Sequence, residues 1–64
     1  MNLSSELFMR MQTTMASIER TLKDTQLSAD VQIADVDNFC WELVDLVSQF
    51  SRTVQIELSG SQGN

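Results

Sequence analysis

Residues 33–54, IADVDNFCWELVDLVSQFSRTV, decide the fold. Within them Ile33, Val36, Cys40, Leu43, Val47, Phe50 and Val54 recur at alternating steps of 3 and 4, an unbroken two-in-seven apolar repeat. That spacing draws one seam along an α-helix and no face of a strand. Phe39, Val44 and Leu46 flank the seam and widen the apolar face to about 160° on an ideal wheel, more than a single neighbouring helix covers. The second helix of the chain is therefore predicted over about residues 29–57. Its last stretch, Thr53 to Leu58, also alternates in the manner of a strand. A lone strand in a helical chain would have no pairing partner, so the helical reading is preferred.

Upstream, Leu3, Leu7, Met11, Met15, Ile18 and Leu22 step by 4, 4, 4, 3 and 4, which predicts a first helix over about residues 5–25. Ser4 is placed to cap it, Glu6 in its first turn suits the helix dipole, and Leu3 with Phe8 fits a hydrophobic staple. Residues 26–28 form the expected turn, with Ser28 and Asp30 as a second cap and early acid. Proline is absent and both glycines, Gly60 and Gly63, stand in the last five residues, so nothing earlier breaks a long helix. Residues 1–59 thus read as one helical domain and residues 60–64, small and polar, as a flexible tail.

The expected class is all-α, a two-helix antiparallel hairpin that dimerises into a four-helix bundle. A chain of 64 residues lies near the size at which one core barely sustains folding. Leaving even 300 Å² of the broad face wet would forfeit roughly 7 kcal/mol at about 25 cal/mol per Å². Burying it against a second copy is the economical solution, with Val36, Phe39, Cys40, Leu43, Val44, Val47 and Phe50 as the expected oligomer interface.

Composition narrows the function classes. The formal net charge is -5 from 9 acidic and 4 basic residues, without a histidine. Nucleic-acid binders present a basic face, so direct DNA or RNA binding is not expected. One cysteine and no histidine leave no ligand set for zinc and no His to activate a nucleophile, so no metal, cofactor or catalytic residue is assigned and the chain is not read as an enzyme. Cys40 on the seam, between the acids Asp37 and Glu42, reads as a small buried hydrophobe and not as a reactive thiol. No apolar run is long enough to span a bilayer and the opening residues do not resemble a signal peptide, which points to a cytoplasmic protein.

What remains is recognition of another protein. Trp41 falls at or beyond the border of the apolar face, where a large exposed ring serves as an anchor. Met9, nearly opposite the first helix's stripe, is a second adaptable contact. Residues 1–27 carry three acids and three bases, whereas residues 28–64 carry six acids against Arg52 alone. Asp35, Glu42 and Asp45 are expected to share the outer face of the second helix, as a surface for a basic partner. The leading expectation is a small acidic interaction module: an adaptor, chaperone or regulator. An acidic inhibitor that blocks a basic surface, such as an antitoxin, immunity protein or nucleic-acid mimic, is the alternative, and a purely structural oligomerisation element is the third.

Overall fold

Two helices, α1 (Leu3–Lys23) and α2 (Ala29–Gln62), run antiparallel and pack against each other in a computed structural model that describes residues 2–62, with side chains through residue 60. The first helix begins on Asn2, whose side-chain oxygen accepts from the Ser5 backbone N–H at 2.9 Å. Asn2 therefore takes the capping role expected of Ser4, which moves the frame by two residues and removes Leu3 and Phe8 from staple positions. The turn is held by Asp24, whose carboxylate accepts from the Gln26 N–H at 2.9 Å while its carbonyl accepts from Leu27 at 3.4 Å. Ser28 then caps the second helix, its hydroxyl accepting from the Val31 N–H at 3.3 Å. Residues 53–58 are helical, and the helix runs on through Gln62, so residues 60–62 of the expected tail belong to α2. Residues 63 and 64 of that tail lie outside the described residues.

The seam between the helices differs from the expected one by about one position on each. On α1 it comprises Ser4, Leu7, Met11, Thr14, Ile18 and Thr21; on α2 it comprises Gln32, Val36, Phe39, Leu43, Leu46, Phe50, Thr53 and Glu57. Every one of these is buried or half-buried. Met15 and Leu22, expected in the core, are exposed, as are Ile33, Cys40 and Val47. Threonine replaces them on the inside because its hydroxyl bonds within its own helix. Thr14 donates to the Arg10 carbonyl at 3.0 Å and Thr21 to the Ser17 carbonyl at 2.9 Å. Each then offers only a methyl to the partner helix, with no unmet polar atom.

Both ends of α1 are tied by side chains from α2. At its start, Glu57 accepts from the Ser4 backbone N–H at 3.3 Å and from the Ser4 hydroxyl at 2.5 Å. At its end, the Gln32 amide nitrogen donates to the carbonyls of Thr21 (3.0 Å), Asp24 (3.2 Å) and Leu22 (3.4 Å). A helix leaves backbone groups at its ends without partners in its own regular pattern, and here α2 side chains add to the local bonds that the Asp24 N–H gives Thr21 and the Leu27 N–H gives Asp24. The Glu19–Lys23 ion pair at 3.7 Å is solvent-exposed on both sides and adds little.

The molecule measures 54 × 18 × 9 Å, a single layer of helix. In one layer every side chain has water on at least one side unless it lies directly between the two axes. Only Leu7 and Leu46, each 2% exposed, are buried apolar residues among those described.

Gln32→Ala removes the donor shared by three carbonyls and is expected to lower hairpin stability by about 1–2 kcal/mol. Gln32→Glu should be worse, because it sets a carboxylate against the negative end of α1. Urea titration followed by circular dichroism measures both, and an unchanged midpoint for Gln32→Ala would show that this cap carries no stability.

Candidate functional site

With the inner seam assigned, the outward residues sort into two broad faces and two edges. Next to the seam on α1 runs the line Phe8, Met15, Leu22, spaced by sevens; next to it on α2 runs Ile33, Cys40, Val47, Val54. In an antiparallel pair these two lines project from the same broad face. The contacts agree: the Phe8 and Phe50 rings lie 6.0 Å apart, tilted by 41°, and Leu22 borders an open groove of about 430 Å³ with Ile33, Val36 and Cys40.

This face is apolar along its middle, with Ser4 and Glu57 at one end and Asp37 beside the groove at the other. Phe8, Met11, Met15, Ile18 and Leu22 on one helix meet Ile33, Val36, Cys40, Leu43, Val47, Phe50 and Val54 on the other, without a charged residue among them. Leu22 is 62% exposed and Ile33 68% exposed. Contiguous apolar exposure over two helices is the kind of surface at which proteins associate. No helix among the described residues is long and apolar enough to cross a membrane.

The expected interface residues are divided by this geometry. Val36, Phe39, Leu43 and Phe50 are half-buried against α1, so their packing is partly spent within the hairpin. Cys40, Val44 and Val47 are exposed and remain free for another surface. Cys40 is thus not enclosed within the single hairpin, because the line it occupies flanks the seam.

Trp41 lies on the edge of α2 that faces away from α1, 67% exposed. Met9 is exposed on the back of α1, where helical spacing puts it. The acidic trio does not share one outer face. Asp35 turns toward the hairpin and is half-buried, being seven residues from Glu42 on a line that borders the seam. Glu42 and Asp45 are exposed, and Asp45 accepts a hydrogen bond from the Gln49 amide at 2.9 Å. These carboxylates stand on the broad face opposite the apolar one or on its edge, so the hairpin is amphipathic as a whole.

Sequence reasoning missed Phe8, Met15 and Leu22 as an outward line, having placed Phe8 in a staple and the others in the core. Their spacing by sevens was the available signal. Ile56, 72% exposed on the polar side, was also overlooked, and nothing in its surroundings assigns it a role.

Comparison with protein-family models, curated proteins and solved structures returned no match. The functional reading therefore rests on the surfaces themselves.

Trp41→Ala should leave helicity intact and change stability by no more than about 0.5 kcal/mol, as for a surface substitution. The wild-type indole should emit at long wavelength and be quenched by iodide. Protected, blue-shifted emission would mean that Trp41 is covered.

Proposed function

We propose that this chain is a small protein–protein interaction module, without catalytic chemistry of its own, that self-associates through its apolar face. Two hairpins closing face to face make a four-helix bundle, the homodimer expected from the breadth of the α2 repeat. The observation that carries this reading is the apolar stretch of that face, which spans both helices between Glu57 at one end and Asp37 beside the groove at the other.

Surface area supports it quantitatively. The chain exposes 4882 Å². A compact monomer of its 7.2 kDa would expose about 4100 Å² on the usual size scaling. The surplus of about 800 Å² equals what one partner buries in a standard-size interface. A second copy removes that surplus on both sides at once.

Closing the apolar faces leaves Trp41, Met9, Glu42 and Asp45 on the outside of the bundle. An aromatic anchor beside carboxylates suits a basic protein partner, with charge accelerating encounter and the indole supplying contact area. In this reading the module is an acidic adaptor, chaperone or regulator acting in the cytoplasm.

Sedimentation equilibrium at micromolar concentration is the decisive measurement, with an expected mass of about twice 7.2 kDa. Val47→Asp places a charge in the middle of the closing face and should weaken the dimer by about a hundredfold or more. A wild-type chain that sediments as a stable monomer would overturn the reading.

A further inference from the structure

The charged residues that border the apolar face are acidic and stand in the half of the hairpin next to the turn. One line outward from Phe8, Met15 and Leu22, α1 carries Ser5, Gln12 and Glu19; one line outward from Ile33, Cys40 and Val47, α2 carries Asp30, Asp37, Val44, Ser51 and Leu58. Asp37 lines the groove with Leu22, and Ser5 lies beside Phe8 and Phe50 at the other end, which places both lines on this face. Glu19, Asp30 and Asp37 are exposed, and Lys23, 3.7 Å from Glu19, offsets one of the three. The other half of the border holds Ser5, Gln12, Ser51 and Leu58, none of them charged. Glu57 at that end is turned into the seam, where its carboxylate accepts from Ser4.

Resting on the dimer proposed above, we infer that the second copy docks with its turn at the opposite end, about a twofold axis that crosses the helices near Met15 and Val44. Two identical faces close about an axis lying in the plane between them, either along the helices or across them. An axis along the helices preserves height and sets α1 on the other copy's α2. Phe8 is level with Phe50 and Leu22 with Val36, so Glu19 would then stand about 3 Å in height from the other copy's Asp37. Like charges are thereby opposed twice, with both Asp30 carboxylates at the same end. An axis across the helices instead sets α1 on α1 and α2 on α2, each antiparallel. The apolar stretch is centred on Met15 in α1 and between Leu43 and Val44 in α2, so Asp37 meets the other copy's Ser51, Asp30 its Leu58 and Glu19 its Gln12. Each acid then faces an uncharged residue, and Ser51 and Gln12 can donate to a carboxylate. Charge along the border, which penalises like opposed to like, selects the orientation.

A charge introduced at the exposed Ser51 reads the orientation. Ser51→Lys sets two ammonium groups against two Asp37 carboxylates and should tighten the dimer about threefold or more at low salt, a gain that Asp37→Asn in the same chain removes. Ser51→Asp should weaken the dimer by a similar factor. With the axis along the helices residue 51 meets Ser5 of the other copy, and neither charge finds a counterpart there. Sedimentation equilibrium at low salt measures each constant, and a dimer unmoved by both substitutions would overturn the inferred orientation. Met15→Cys combined with Cys40→Ser gives an independent reading, because the crossing axis brings the two thiols together and the lengthwise axis sets them on a diagonal. Oxidation with glutathione disulfide should then yield a covalent dimer, since a disulfide needs Cα atoms within roughly 7 Å. A sedimenting dimer of that variant, helical by circular dichroism, that gives no covalent product refutes the crossing axis. A monomeric wild type would remove the dimer itself, an outcome read from sedimentation before any variant is compared.

Discussion

The arrangement of this hairpin depends on two hydroxyl groups satisfied by their own helix. Thr14 and Thr21 return their protons to the carbonyls of Arg10 and Ser17, and so enter the seam as methyl-bearing residues with no outstanding polar demand. Once they occupy the inside, the larger Met15 and Leu22 are turned one line outward, together with Phe8. The same rotation on α2 brings Gln32 and Thr53 inward and leaves Ile33, Cys40 and Val47 outside. A hairpin that buried its largest side chains internally would have no apolar broad face. This one has such a face because its interior is built in part from threonine.

The polar residues on the seam also fix register. Gln32 and Glu57 bind the two ends of α1 from positions 25 residues apart on α2, and a slide by one turn would break both sets of hydrogen bonds together. Apolar contacts along the seam are much less selective, since Leu, Val and Phe side chains would meet other apolar side chains after a one-turn slip. Specific pairing thus comes from the ends, and non-directional burial comes from the middle.

Much of this was legible in the sequence. The 3,4 repeat from Ile33 to Val54 and the stripe from Leu3 to Leu22 identified two helices, and the polar segment around Ser28 placed the turn between them. What periodicity could not settle was the direction each face takes. On α2 the lines through Ile33, Cys40 and Val47 and through Phe39 and Leu46 share Val36, Leu43 and Phe50, so an apolar count alone does not choose between them. The choice is made by polar side chains: Thr14, Thr21, Gln32 and Glu57 look like surface residues in a hydropathy reading but find their partners inside. Trp41 was legible at the edge of α2 because its wheel position lies off both lines. Asp35 was not, since it borders the seam that was misplaced by one position.

A single-layer fold with two buried leucines among the described residues has little internal burial to set against chain entropy, which opposes ordering by roughly 1–2 kcal/mol per residue. Long-range caps and threonine methyls hold the geometry, but most of the large apolar side chains lie outside it. In the proposed bundle those side chains contribute only when a second hairpin arrives, so the intermolecular contact supplies the burial that the monomer lacks. Folding and association then become one equilibrium, and apparent stability rises with protomer concentration. The outer edge bearing Trp41 takes no part in that closure. On the proposed reading, separation of the two surfaces would let the same 64 residues assemble through one broad face while keeping an aromatic and acidic edge open to a different protein.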